Sequence, residues 1–288
     1  MGMPVIIGKE LVYYLYSDTR PHTGKASPVQ KGLVPGLRDN DAMLCEEGLG
    51  FGVPVLQYAR DFYFPGSADT TTEGKVPVGA SRKCYQYNLV ERAQRPDDRS
   101  IRPFSWVIHR LYNSLYKTRA GYAAISICIP PSLSQRYGIK LPRSKFIHVR
   151  DKGWSCSTYT LDSAKGTILV TIELDGVSHE GLQQVYVSNE MGGSLFTHYC
   201  DSSGLKLRGE EITGWSEIDA GWAAMYAPSI GLGFRVDFPS NIIAFRGRET
   251  FSKDVSWSGM ILAVSPSTDK VEYRVRLGAY ETLVKDSP

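Results

Sequence analysis

Residues 271–277 read VEYRVRL, and apolar side chains alternate there with charged ones at every position. A period of two places one set of side chains on a buried face and the other set in water, as in a β-strand. The same period recurs in residues 168–174, ILVTIEL, and in residues 232–238, LGFRVDF. An amphipathic helix would repeat every three or four residues instead. The chain is therefore predicted to be mainly β, as a large antiparallel β-sandwich or a closed barrel.

Short polar segments separate these strands. Residues 161–166, 201–204 and 265–270 are rich in Ser, Asp, Lys and Gly or Pro, and Gly, Pro, Asp and Ser are residue types that form turns. We interpret all three segments as hairpin connections. Residues 50–64 are predicted to form one long extended segment that ends at Pro65 and Gly66.

One segment has a helical pattern. After Pro103, apolar residues recur at the three- and four-residue spacing of an amphipathic face, namely Ile108, Leu111, Tyr112, Leu115 and Tyr116. We predict one amphipathic helix near residues 105–120, packed against a single β-rich domain that spans residues 1–288. If a domain boundary exists, it is expected at residues 93–102, the most polar part of the chain.

The composition excludes several classes of protein. The formal net charge is +3 and 42% of the 288 residues are hydrophobic, which is ordinary for a globular protein. Basic residues are spread along the chain, so no nucleic-acid partner is expected. The sequence has no run of about 18 apolar residues, so we expect no membrane span and a cytoplasmic location.

The cysteines bear on location and source. The five cysteines are odd in number and never form a Cys-x-x-Cys pair, so we expect buried, reduced thiols in a cytosolic protein. The alternative is a disulfide, which intracellular proteins of hyperthermophiles do contain. Arg outnumbers Lys, and Asn and Gln are sparse, a composition that leans toward a thermophilic source.

No motif for a cofactor or metal is complete. The Gly-x-Gly segments at Gly48 and Gly231 lack the third glycine of a dinucleotide-binding turn. A phosphate-cradling loop and a Gly-x-Ser-x-Gly nucleophile turn are also absent from the sequence. The five histidines have no metal-ligand spacing. The sequence therefore predicts no cofactor and no metal.

The segment around Gly192 and Gly193 is the first candidate for chemistry. Glu190, His198 and Asp201 fall around a predicted strand pair with these glycines at its bend. His198 is expected among apolar neighbours, which shift the pKa of an imidazole into a range suited to proton transfer. A hydrogen-bonded structural role is the alternative for this histidine.

Two further segments have the composition of binding sites. Trp215 and Glu217 are predicted to share one face of a strand. Sugar rings stack on aromatic side chains, while carboxylates bind hydroxyl groups or perform acid and base chemistry. Arg246 and Arg248 carry two guanidinium groups that can bind a carboxylate or a phosphate. A solvated surface is the alternative for both segments.

Two hypotheses of function follow from these residues. The first is a soluble protein that binds or acts on a carbohydrate-like small molecule, with Glu190, His198 and Glu217 as catalytic candidates and Trp215, Asp201, Arg246 and Arg248 as binding candidates. The alternative is a non-catalytic structural protein that assembles with copies of itself, as a homo-oligomer, or with a partner. Strand edges rich in Tyr and Arg would then form the interface.

Overall fold

The computed structural model describes residues 5–6, 9–15, 32–37, 42–43, 50–59, 61–65, 74–75, 79–92, 144–162, 166–252 and 255–285. The strands before residue 100 are β1 (Val5–Ile6), β2 (Lys9–Leu15), β3 (Leu33–Leu37), β4 (Ala42–Met43), β5 (Gly50–Tyr58), β6 (Asp61–Pro65), β7 (Gly74–Lys75) and β8 (Gly79–Arg92). The following strands are β9 (Ser144–Asp162), β10 (Thr167–Glu173), β11 (Leu182–Gly192), β12 (His198–Asp201) and β13 (Lys206–Arg208).

The C-terminal part continues in the same way. Its strands are β14 (Gly214–Ile218), β15 (Trp222–Ala227), β16 (Leu232–Asp237), β17 (Ile243–Ser252), β18 (Val255–Val264) and β19 (Lys270–Gly278). A short 3-10 turn at Gly209–Glu211 precedes β14, and the helix α1 (Tyr280–Leu283) follows β19. The described chain is thus mainly β, with antiparallel pairing and one short α-helix.

The strand pairings form one path through most of the molecule. From one end to the other its order is β14, β17, β18, β11, β5, β6, β8, β9, β10, β19, β16, β15, β12 and β13. The strands β1, β2, β3, β4 and β7 form a smaller group that joins β5 where Leu33 pairs with Phe51. In the described residues the path ends at β13 and β14 and closes no ring, so the closed barrel is wrong for this part of the chain.

The two halves of this path face each other across the core. The Tyr273 hydroxyl on β19 donates a hydrogen bond of 2.7 Å to Asn189 on β11. The Phe234 ring on β16 packs edge-on against Phe51 of β5, with centroids 5.3 Å apart. The Tyr159 hydroxyl on β9 donates to the Phe51 carbonyl at 2.8 Å. The β5 and β11 half therefore shares one interior with the β9, β19 and β16 half.

The period of two predicts several strands correctly. In β19 the apolar side chains at Val271, Tyr273, Val275 and Leu277 are buried, while Glu272 and Arg274 are exposed. The strand β10 shows the same alternation of buried and half-buried positions. The helix predicted near residues 105–120 and the boundary predicted at 93–102 lie outside the described residues.

Two of the predicted connections are wrong. Residues 265–270 do not join a hairpin, because β18 pairs with β11 and β17 whereas β19 pairs with β10 and β16. Residues 50–64 are not one extended segment, because Tyr58 of β5 pairs with Asp61 of β6 across a tight turn. Ala59 in that turn has a φ of 52°, a conformation in which glycine or asparagine is usual.

The cysteines also differ from the expectation. Cys84 and Cys156 pair directly across β8 and β9 and form a disulfide, so the prediction of reduced thiols is wrong for these two. Cys200 is a free, buried thiol. Cys45 and Cys128 lie outside the described residues. Separately, no helix in the described ranges has the length and apolar character needed to cross a bilayer.

Candidate functional site

The strands β11, β18, β17 and β14 have one side turned away from the core. On β18, Met260, Leu262 and Val264 are buried in the core. Successive residues of a strand alternate between its two sides, so Trp257, Gly259 and Ile261 lie on the side away from the core. We call this side the outer face. Residues paired directly across antiparallel strands share a side, so the register shows which other side chains lie on it.

A row of four residues crosses the outer face. Trp215 of β14 pairs with Gly247 of β17, Gly247 pairs with Gly259 of β18, and Gly259 pairs with Glu190 of β11. We call this set the glycine row. An indole and a carboxyl group therefore stand at its two ends, with no side chains on the two strands between them. Three strand spacings separate these ends, which is about 14 Å.

Two further rows border the glycine row. On one side lie Glu249, Trp257 and Gly192, and on the other side lie Glu217, Phe245, Ile261 and Ser188. The bordering side chains include two carboxylates and three large apolar groups. The glycine row is thus the low part of the outer face, and both acidic and aromatic groups surround it.

The Trp215 indole is held in place by its neighbours. Its Nε1 donates a hydrogen bond to Glu249 Oε1 at 2.6 Å. A Cβ atom added at Gly247 would lie 2.6 Å from the indole and 2.4 Å from the Gly214 carbonyl oxygen. The indole therefore lies across Gly247, and any side chain at that position would displace it.

Gly259 is required for a different reason. A Cβ atom added there would lie 2.1 Å from the Asn189 carbonyl oxygen and 2.8 Å from the Glu190 Cα atom. Real Cβ atoms do not come so close to backbone, so β11 can approach β18 here only because residue 259 is glycine. This close approach sets the position of Glu190 relative to the two glycines of the row.

The Glu190 carboxyl group is buried, with 7% of the residue exposed. Burial disfavours the ionised form and raises the pKa of Glu190 from 4.5 to about 8, and the negative charge of Glu249 acts in the same direction. The nearby Ser188 hydroxyl lowers the pKa. Near neutral pH the Glu190 carboxyl therefore holds its proton, which makes it able to donate one.

The structure brings together three of the residues that the sequence predicted. Glu190, Trp215 and Glu217 all lie on the outer face. Arg246 and Arg248 lie on the opposite side of β17, because they pair with Met260 and Ser258.

These two arginines have partners on that opposite side. The Arg246 guanidinium lies 5.1 Å from the centre of the Tyr199 ring, and its Nη1 donates to the Glu217 carbonyl oxygen at 2.9 Å. Arg248 Nη1 lies 3.5 Å from Glu210 Oε1. Both side chains therefore border the facing half of the strand path and not the glycine row.

His198 and Asp201 belong to β12, in the other half of the path. His198 pairs with Tyr226 and Arg208. Burial lowers the pKa of this imidazole, and the charge of Arg208 lowers it further. The buried Asp201 carboxylate accepts hydrogen bonds from the Tyr199 hydroxyl at 2.8 Å and from the Ser203 amide at 3.0 Å. It stabilises the turn between β12 and β13.

The sequence did not indicate the roles of Glu249, Trp257, Gly247 and Gly259. Glycines in the middle of strands mark a close backbone approach, and this signal was available at positions 247 and 259. The pairing of β17 with β18 could not be predicted from the sequence, because no local pattern specifies which strands become neighbours. The described residues contain no group of three or more His, Cys, Asp or Glu side chains placed to hold a metal ion.

Comparison with known proteins gives little further information. No protein-family model and no curated protein matches the chain. Similar solved structures include a protein in the glycosyl hydrolase family 38 from Enterococcus faecalis and an alpha-mannosidase from Enterococcus faecalis V583, both at 8% identity and a TM-score of 0.38.

Both comparisons cover 86% of this chain but only 28% and 27% of the other chains. This chain thus spans less than a third of their length. A likeness this weak carries no conclusion about fold or function, so the function is inferred from the geometry of the outer face.

Proposed function

We propose that the protein binds a carbohydrate on the outer face of β11, β18, β17 and β14, supported by a β-sandwich made of the two facing halves of the strand path. The glycine row is the observation that carries this proposal. It places an immobilised indole and a buried carboxyl group at the two ends of a low strip of backbone. Carbohydrate recognition uses this combination, because sugars present both apolar ring faces and hydroxyl groups.

Trp215 provides the stacking platform in this proposal. Its hydrogen bond to Glu249 fixes the orientation of the ring before a ligand arrives, and a pre-oriented group loses little conformational entropy on binding. The indole is half-buried, so part of the ring remains open to a ligand.

The carboxylates provide the polar contacts. Glu217 and Glu249 are exposed and lie in the two bordering rows. Carboxylate oxygens accept hydrogen bonds from hydroxyl groups, and these charge-assisted bonds are stronger than neutral ones. The strip is about 14 Å long by standard strand spacing, so it suits an oligosaccharide better than a single sugar ring.

A thermal-shift screen against short linear gluco-, manno- and xylo-oligosaccharides tests the proposal. A ligand that binds only the folded protein must raise the Tm. Trp215→Ala is expected to weaken binding of any active oligosaccharide by about tenfold or more, since loss of the stacking aromatic contact costs over 1 kcal/mol.

The matched control is Trp154→Ala. Trp154 lies on β9, outside the four strands of the outer face, and is 43% exposed. This variant is expected to bind oligosaccharide as the unchanged protein does. If no oligosaccharide raises the Tm, or if both variants bind equally well, the outer face is not a carbohydrate site.

Self-association is the competing explanation for an aromatic surface. Under that hypothesis Trp215→Ala would reduce the mass measured by sedimentation at micromolar concentration, and oligosaccharides would leave the Tm unchanged. The two experiments therefore distinguish a ligand site from an interface between copies of the chain.

A further inference from the structure

We infer that the outer face hydrolyses glycosidic bonds, with Glu190 donating a proton to the departing oxygen and Glu249 accepting a proton from the attacking water. This inference rests on the proposed function and adds to it a reaction and a role for each carboxyl group. Glycoside hydrolysis uses two carboxyl groups in different protonation states that flank the bond to be cleaved.

The register places the two groups at a suitable spacing. Glu190 pairs with Gly259, and Glu249 pairs with Trp257, two residues away on the same strand β18. Two strand spacings and this offset place their Cα atoms about 12 Å apart. Both side chains are long and lie on one face, so their carboxyl groups can come within the roughly 5 to 9.5 Å that such enzymes use.

The environments of the two carboxyl groups differ as the two roles require. Glu190 is 7% exposed, whereas Glu249 is exposed. A buried carboxyl group retains its proton and can act as an acid, and an exposed carboxylate can act as a base. Glu249 also accepts the hydrogen bond from Trp215 Nε1. Trp215 lies on the side of β17 away from β11, so this bond holds the Glu249 carboxylate away from Glu190. The wider separation of the two carboxyl groups leaves room for a water molecule.

Ser188 is a further polar group of the site. It precedes Glu190 by two residues on the same face of β11 and is 2% exposed. Its Oγ is buried and lies close enough to the Glu190 carboxyl group to lower the pKa of that group. A hydroxyl group can donate one hydrogen bond and accept others, so Ser188 can contact a sugar hydroxyl beside Glu190.

The reaction is balanced as follows. A water molecule transfers a proton to Glu249 while its oxygen forms a bond to the anomeric carbon. The bond between that carbon and the glycosidic oxygen breaks, and the oxygen takes the proton of Glu190. The products are a sugar with a free anomeric hydroxyl and an alcohol, and solvent returns a proton from Glu249 to Glu190. One-step displacement by water inverts the configuration of the anomeric carbon.

The test measures reducing ends released from the oligosaccharides that raise the Tm. Glu190→Gln, which resembles the protonated side chain in shape, is expected to lower kcat by about a hundredfold or more, as loss of a general acid does. The Tm shift by oligosaccharide should persist in this variant. Glu281→Gln, an exposed position on α1, is the control and should leave kcat unchanged.

A substrate with a good leaving group separates a chemical role from a structural one. The 2,4-dinitrophenyl glycoside of the same sugar needs no proton on departure, so Glu190→Gln should hydrolyse it at nearly the rate of the unchanged protein. Glu249→Gln should be slow with both substrates, and the first product should have the inverted configuration by NMR.

The outcomes separate the inference from the proposed function. If oligosaccharides bind but the unchanged protein releases no reducing ends, the inference is overturned and the carbohydrate site stands. The inference also fails if Glu190→Gln is equally impaired with both substrates. If no oligosaccharide binds, the inference and the proposed function fail together.

Discussion

Arg235 is a buried cation whose charge is compensated on several sides. It is 4% exposed, and its Nε donates to Asp237 Oδ1 at 2.7 Å. Its Nη1 donates to the Leu283 carbonyl oxygen of α1 at 2.9 Å, and its guanidinium lies 4.1 Å from the centre of the Trp222 ring. The side chain therefore fixes the C-terminal helix to β16 as well as balancing the half-buried Asp237 carboxylate.

Arg235→Ala is expected to lower the free energy of unfolding by about 1.5 to 3 kcal/mol, because it removes charged hydrogen bonds to Asp237 and α1, while Arg276 remains 2.9 Å from the Asp237 carboxylate. Urea denaturation measures this loss. Arg274→Ala is the matched control, since Arg274 is the residue of β19 opposite Asp237 in the strand register but is exposed, and a surface change should cost about 0.5 kcal/mol or less. Equal losses in the two variants would show that burial of Arg235 is not what matters.

The sequence predicts the face on which a side chain lies only where that face depends on neighbouring residues of the same strand. Trp215 and Glu217 share a face as predicted, because residues two apart on one strand must do so. The same rule predicted Arg235 on a solvated side, but α1 covers that side, and a Cβ at Gly233 would lie 2.5 Å from Leu283. Glu249 and Glu190 lie on the same face only because β11, β18 and β17 are neighbours, and no local pattern reveals these pairings.

The strands β8 and β9 are the longest paired elements, and a disulfide joins them. Cys84 and Cys156 are 72 residues apart in sequence, so the bond closes a long loop in the unfolded chain. Restricting such a loop is expected to stabilise the fold by about 4 kcal/mol on the chain-entropy account.

A reductant should therefore lower the Tm of the protein, as measured by calorimetry. The double variant Cys84→Ser with Cys156→Ser should start at the lower Tm and show no response to the reductant from this pair. Cys200→Ser serves as the control, because Cys200 is a free thiol, and that variant should keep the response. An unchanged Tm on verified reduction of the bond would contradict the prediction.

Whole elements are predicted from sequence when both their period and their turns are ordinary. The strands β10 and β19 meet this condition, and so does the hairpin of β9 with β10. The hairpin of β5 with β6 does not, because Ala59 adopts a positive φ without the glycine that normally signals it. The segment 265–270 has turn residues but crosses between the two halves of the path, and turn chemistry alone does not distinguish these cases.

At the scale of the whole molecule, the order of the strands could not be predicted from sequence. The neighbours β5 and β11, and β10 and β19, are about a hundred residues apart or more, and their pairing depends on packing of the shared interior. The hydrogen bond from Tyr273 to Asn189 shows this dependence, since it joins one half of the path to the other. The sequence therefore indicates the class of fold, whereas the site requires the topology.

The pH dependence of the free energy of unfolding reports on the protonation of Glu190 on the outer face. The folded protein raises the pKa of Glu190 from 4.5 to about 8, first by burial and then through Glu249. Between these values the folded state holds a proton that the unfolded state has released. The stabilisation from this proton is complete below pH 4.5 and is lost as the pH rises through 8.

The free energy of unfolding of the unchanged protein, relative to that of Glu190→Gln, is therefore expected to fall as the pH rises from 5 to 8. The slope should approach about 1.4 kcal/mol per pH unit, the value for one proton. Glutamine does not titrate, and all other ionisable groups are common to both proteins, so subtracting the two urea-denaturation curves isolates Glu190. The difference should stop changing above pH 8. A difference that stays constant from pH 5 to 8 would mean that the Glu190 carboxyl is already ionised at pH 5, and it could not then serve as the acid of the outer face.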